Sequence, residues 1–234
     1  MRYRTVLLDL DHTLLDSDGS EAAAFAATAR SVGLTPTEEV FDRYRTINRG
    51  LWAEVERGGV TPVEVRTRRF ELFTADLGLA DADPEAMADT FATGLGANGE
   101  LYPGALAALE GLADVTTLGL VTNGLVEVQE ARIERLGLGR FFRSVIISAG
   151  VGVAKPAPEI FDLVLDALEV TDRSSTVMVG DSLTSDIQGG HNAGIATCLY
   201  DPDGRAGDRA ALQPRPTHVI GSLDALVPLV TGLT

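Results

Sequence analysis

The sequence predicts an α/β fold, a doubly wound parallel sheet with an α-helical domain inserted behind its first strand. Three observations lead there: short apolar runs recur without polar alternation, helical segments separate them, and the stretch 16–99 carries helix signals only.

Taken in order, VLLDL (6–10) is the first strand, a near-continuous apolar run of the kind that parallel strands show when both faces are covered. The insert follows. Ala22, Phe25, Ala26 and Ala29 recur on one helical face, and Val40, Phe41, Tyr44, Ile47, Leu51 and Val55 form a second stripe. Start signals agree: Thr37 precedes Glu38 and Glu39, Thr61 and Glu64 make a capping box around Pro62, and Asp83 precedes Pro84. From residue 104 onward helices are expected at 104–113, 125–136, 158–168 and 183–193. Strands alternate with them: VTTLGLVT (115–122), SVIIS (144–148), TVMVG (176–180) and IATCLY (195–200). The expected division is a core of residues 1–15 and 100–234 and a helical domain of residues 16–99.

Composition narrows the function. A chain of 234 residues, 45% hydrophobic and 23% charged, is globular and sufficient for one large or two modest domains. A net charge of −15 repels polyanions, so nucleic-acid polymers and anionic membranes are not expected partners. No run reaches the roughly 20 apolar residues of a membrane span, and Asp9 and Asp11 interrupt the N-terminal apolar run, so a cytoplasmic protein is expected, as monomer or homodimer. Cys198 is the single cysteine, which rules out an internal disulfide, and its apolar setting suggests a buried thiol.

Among 19 Lys and Arg residues, only Lys155 is a lysine. Where arginine meets every other need for positive charge, a compact ammonium suggests a site too crowded for a planar guanidinium. Ligands of doubly wound sheets bind beyond the carboxyl ends of the strands. Those ends carry Asp9 and Asp11, Thr122 and Asn123, Lys155 shortly after the third strand, and Asp181 with Asp186 behind it. An Asp after a strand is often a turn or helix cap, but that reading does not account for the whole set. Like charges about 4 Å apart repel by roughly 4 kcal/mol at an effective dielectric near 20, so four carboxylates need a cation among them; hard oxygen donors favour Mg²⁺. Such parts suit phosphoryl transfer. Asp9 attacks phosphorus, Asp11, on the same side of an extended strand, protonates the leaving alkoxide, and Mg²⁺, Lys155 and Thr122 balance the phosphoryl charge.

DLDHT (9–13), LVTNG (120–124), GVAKPAPEIF (152–161) and GDSLTSD (180–186) resemble the four ordered motifs of the haloacid dehalogenase superfamily. The resemblance implies a Rossmann-like core with a helical C1 cap, Asp9 as nucleophile and metal ligand, and Asp11 as general acid/base that also binds metal through its carbonyl. It implies Asp181 as the third metal ligand with Asp186 in support, and Thr122 and Lys155 on the phosphoryl oxygens, beside Asn123 and Gly124. Dehalogenases of the superfamily lack the second aspartate, so Asp11 favours a phosphatase. The cap stretch 44–70 is similar to that of YjjG-type pyrimidine 5′-nucleotidases, which implies a nucleoside 5′-monophosphate as the small-molecule phosphate ester, with Asn48 and Arg49 facing it and Trp52 as a stacking surface or simply core. Phosphatases of acylneuraminate 9-phosphate, phosphoglycolate or a sugar phosphate are the alternative. A receiver-like phospho-acceptor domain is the rival from another class, but it carries neither the insert nor a second acid two residues after its phosphorylated Asp. His12 is expected to shape its turn, and His191 and His218 to be structural.

Overall fold

The structure of the protein, a computed structural model, describes residues 1–205, 207 and 211–232, so six positions of the expected core segment 100–234 lie outside the described residues. The sheet has six strands, β1 (Thr5–Leu8), β2 (Thr117–Thr122), β3 (Ser144–Ile147), β4 (Thr176–Gly180), β5 (Ala196–Tyr200) and β6 (His218–Ile220), in the order β3-β2-β1-β4-β5-β6. Every pairing is parallel. The order turns between β1 and β4, and there the carboxyl ends of the two strands open a crevice.

Both faces of the sheet are covered, which is why its strands read as unbroken apolar runs. Val6 and Leu8 pack with Leu118, Leu120, Val177 and Val179 against one layer, whereas Leu7, Val121 and Met178 point the other way, into Ile160, Phe161 and Val164 of α8 (Pro158–Ala167). The first layer includes α5 (Ala105–Ala113) and α10 (Leu226–Thr231). Cys198 is buried in it, as expected.

Four helices fill the stretch between β1 and α5: α1 (Ser17–Ser31), α2 (Glu38–Glu56), α3 (Pro62–Leu77) and α4 (Pro84–Ala97). They enclose an aromatic core of Phe25, Tyr44, Phe70, Phe73 and Phe91. Thr37, Thr61 with Glu64, and Asp83 all cap as expected, and Asp16 also caps α1. The buried face of α1 is rotated from the expected one: Ala24, Phe25, Thr28 and Ala29 are buried and Ala22 is exposed. The reason is a close helix crossing. A β-carbon on Gly94 of α4 would lie 2.8 Å from Cα of Ala24, so the smallest residues, not the largest, mark the contact.

Other boundaries shift too. β1 ends at Leu8 because the chain then turns tightly, with Leu14 and Leu15 donating to the Leu10 carbonyl and His12 in the left-handed region at φ 59°. His12 therefore shapes its turn. Ser148 starts α7 (Ser148–Val151) instead of ending β3, and the expected helix 183–193 divides into a π-helical turn, Leu183–Ile187, and α9 (Gln188–Asn192). The edge strand β6 was not foreseen; at three residues, HVI, it is too short to show a period. Its His218 ring nitrogen pairs with the Tyr3 hydroxyl at 2.8 Å, whereas His191 is exposed on α9. No helix among the described residues is long and apolar enough to cross a membrane.

Candidate active site

The crevice between β1 and β4 gathers the acidic residues. Asp9 follows β1, Asp181 follows β4, and the π turn brings Asp186 back over the end of β4. Gly180 makes that return possible, since a β-carbon there would run into the Asp186 carboxyl group. Carboxylate oxygens of Asp9, Asp181 and Asp186 all lie within 4.8 Å of one another. Between two of them sits Lys155, 1% exposed, whose Nζ donates to Asp9 Oδ1 at 2.5 Å and to Asp186 Oδ1 at 2.7 Å.

The charges do not cancel. Burial, reinforced by Asp186 and Asp181, drives the Asp9 carboxyl well above its ordinary range in spite of Lys155. Burial and Asp186 likewise push Asp181 up to about 7. Burial alone would lower the Lys155 ammonium, but Asp186 and Asp9 outweigh it and raise it above its usual value. One ammonium thus faces three carboxyl groups, and a hard divalent cation is what such an oxygen set lacks.

Asp11 has a different neighbourhood from the expected one. Its carboxylate lines the same cavity but is not among those three mutually close groups, and it is held by Arg132 of α6 (Val126–Arg135), Nη1 to Oδ1 at 2.6 Å, by Gln129 Nε2 at 2.6 Å on Oδ2, and by the Ser17 hydroxyl. Burial works against its charge, yet Arg132 and these two hydrogen bonds prevail and lower the Asp11 pKa. Arg132, 3% exposed, also donates to Ser20 Oγ of α1 at 2.7 Å and to the Leu95 carbonyl of α4 at 3.0 Å. One side chain thereby joins the acid to two of the four helices of the insert, α1 and α4.

The second strand end is occupied internally. Thr122 is fully buried and its Oγ1 accepts from Gln129 at 2.8 Å. The Asn123 amide closes a pair of hydrogen bonds with the backbone N–H and carbonyl of Lys155, each 2.9 Å. The Gly124 N–H donates to Ser148 Oγ at 3.0 Å. In this arrangement Asn123 positions the lysine and the Gly124 N–H is engaged, whereas the Thr122 hydroxyl, an acceptor from Gln129, keeps its own proton to donate.

A cavity of about 650 Å³ runs from Asp9, Asp181 and Lys155 up to α2, α3 and α4. Asn48, Arg49 and Trp52 of α2 all line it. Asn48 is buried and Arg49 exposed, while Trp52, besides lining the cavity, packs beside Leu51, Val55 and Val65. Sequence reasoning missed Ser17, Glu21, Arg69, Gln129 and Arg132, which line the same cavity. The one available signal was Gln129 and Arg132 spaced i, i+3 on the face of α6 that also buries Val128.

The model of the haloacid dehalogenase-like hydrolases matches residues 3–194. This chain belongs to that family. Within these hydrolases it is 33% identical to the pyrimidine 5′-nucleotidase YjjG of Escherichia coli over 236 residues, 98% of this chain and 99% of that one. It is 32% identical to the pyrimidine 5′-nucleotidase PynA of Streptococcus pneumoniae over 203 residues, 86% and 85% of the two chains. Among solved structures it superposes on the HAD-hydrolase YfnB of Bacillus subtilis with a TM-score of 0.86 and 33% identity, covering 98% of this chain and 99% of that one. The YfnB crystal holds magnesium, and interdomain movement is described for it.

Proposed function

We propose that this hydrolase is a Mg²⁺-dependent phosphatase of small phosphate monoesters, with a nucleoside 5′-monophosphate as substrate. The observation that carries the reading is the cluster of Asp9, Asp181 and Asp186 around one buried lysine at the floor of a 650 Å³ cavity. The donor set fits Mg²⁺: carboxylate oxygens, two of them with raised pKa, meet a single ammonium. Asp9, Asp181 and the Asp11 carbonyl would hold the ion, with Asp186 in support. When bound, it supplies positive charge to the phosphoryl oxygens and lowers the carboxyl pKa values.

Asp9 Oδ2, the oxygen not given to Lys155, attacks phosphorus; the P–O bond to the alcohol breaks and an aspartyl-phosphate forms. Lys155 neutralises charge on the nucleophile and then on the transferred group. Asp11 protonates the leaving alkoxide and, ionised again, takes a proton from the water that attacks the phospho-aspartate. Its lowered pKa suits the second role as it stands; the phosphate dianion, by adding negative charge nearby, favours the protonation that the first requires. Residues 16–99 act as the cap that shields the reaction from water, with Arg132 and Arg135 tying α6 to it. The pyrimidine nucleotidases among its relatives, matched over 98% and 86% of this chain, support the choice of substrate.

Turnover of p-nitrophenyl phosphate with Mg²⁺ and a panel of phosphate monoesters tests the reading. Nucleoside 5′-monophosphates are expected to lead the panel, ahead of phosphoglycolate, sugar phosphates and acylneuraminate 9-phosphate. Folded protein without turnover in the presence of metal refutes it.

A further inference from the structure

The cap end of the cavity contains two polar side chains that the catalytic scheme leaves unused. Asn48, 9% exposed, donates from Nδ2 to Glu21 Oε1 at 2.6 Å. Because a carboxylate only accepts, this contact orients the amide, and Asn48 Oδ1 is left buried without a hydrogen-bond partner. Arg69 is 3% exposed, yet among the described residues no carboxylate lies within ion-pair distance of it. Its Nε donates to the Val65 carbonyl at 3.1 Å and Nη1 to the Tyr44 hydroxyl at 3.2 Å, while the guanidinium lies over the Phe91 ring at 5.3 Å. Nη2 has no hydrogen-bond partner among the described residues.

A buried orphan acceptor and an underused donor on a buried arginine, both from residues that line the cavity whose floor is Asp9, call for a ligand that offers a donor and an acceptor. Charge selects among such ligands. Glu21 and Asp18 line the same end, and Glu21 lies close enough to Arg69 for the two charges to interact. A carboxylate-bearing leaving group would meet these two acids, so a neutral polar edge fits better.

We infer that Asn48 and Arg69, oriented by Glu21 and Tyr44, are specificity-determining residues that read the hydrogen-bonding edge of a nucleobase, Asn48 Oδ1 accepting a base N–H and Arg69 donating to the adjacent carbonyl or ring nitrogen. The inference rests on the nucleotidase reading and assigns residues to it. The cavity, at about 650 Å³, is within the range of sites that enclose a whole small ligand, so the phosphate and the base can be held at once.

The test compares uridine 5′-monophosphate, its N3-methyl analogue and ribose 5-phosphate, with Mg²⁺, on the wild-type protein and on Asn48→Ala. For the wild type, N3-methylation removes the N–H and is expected to lower kcat/KM about tenfold or more. In Asn48→Ala the parent nucleotide is expected to lose about tenfold relative to ribose 5-phosphate, chiefly through KM, and the penalty for the methyl group to shrink. Equal kcat/KM for parent and methylated nucleotide on the wild type overturns the inference alone and leaves the nucleotidase reading standing. Turnover of p-nitrophenyl phosphate with none of any nucleotide overturns both. The wild-type comparison needs no variant to fold.

Discussion

Replacing Lys155 by arginine tests why the chain keeps a single lysine. The charge is preserved, so any loss has to come from shape. Lys155 is 1% exposed, and its Nζ sits 2.5 Å from Asp9 and 2.7 Å from Asp186, so a guanidinium could be accommodated only by displacing these carboxylates or by intruding into the cavity where the phosphoryl group would sit. Overpacking of a dense interior costs about 1–3 kcal/mol, or a fall in Tm of roughly 2–12 °C for a chain of this size. The functional loss is expected to be larger. Pushing Asp9 or the bound phosphoryl group by about 1 Å costs on the order of 10²-fold in rate. Thermal unfolding followed by circular dichroism and kcat/KM on p-nitrophenyl phosphate with Mg²⁺ measure the two effects. Wild-type turnover in a Lys155→Arg protein with unchanged Tm refutes the steric argument. Lys155→Met separates shape from charge: it leaves Asp9 and Asp186 without their partner and is expected to cost about 3–5 kcal/mol at neutral pH.

Asp11→Asn keeps the backbone carbonyl but removes the proton carrier, so kcat is expected to fall about 10²–10⁴-fold with Mg²⁺ affinity little changed in titration calorimetry. It also deprives the buried Arg132 of its carboxylate, which lowers Tm. Without metal, Asp181 and Asp9 give stability a pH dependence. With the Asp181 pKa raised from 3.8 to about 7, the folded state binds more protons at this group than the unfolded one between those values, so its contribution to stability is fully present below about pH 4 and is lost as pH rises through about 7. Tm measured in EDTA is therefore expected to drop across that window and to drop less with Mg²⁺; a rise instead contradicts the electrostatic account. Gly180→Ala forces Asp186 off the end of β4 and is expected to weaken both metal binding and turnover, which calorimetry and kinetics on the same preparation report.

Legibility in the sequence followed the range of the forces involved. The strands were legible because burial on both faces leaves an apolar run, and the insert because caps such as Thr61 with Glu64 act over one helical turn. Asp9, Lys155, Asp181 and Asp186 were legible because each directly follows a strand or its connection, and parallel strands bring those ends to one edge whatever the details of packing. β6 was too short for a period, and the buried face of α1 depended on Gly94 across a helix crossing.

The sequence by itself therefore determined the α/β plan, the helical insert and the residues of the acidic centre, since periodicity, capping and strand-end position are local properties of the chain. Only the tertiary structure decided the partners: Arg132 and Gln129 on Asp11, Asn123 on the backbone of Lys155, and the orphaned oxygen of Asn48 beside Glu21. These contacts join residues from 27 to 121 positions apart. No local pattern encodes such a separation; packing alone brings the groups within hydrogen-bonding distance and removes the water that would otherwise satisfy them.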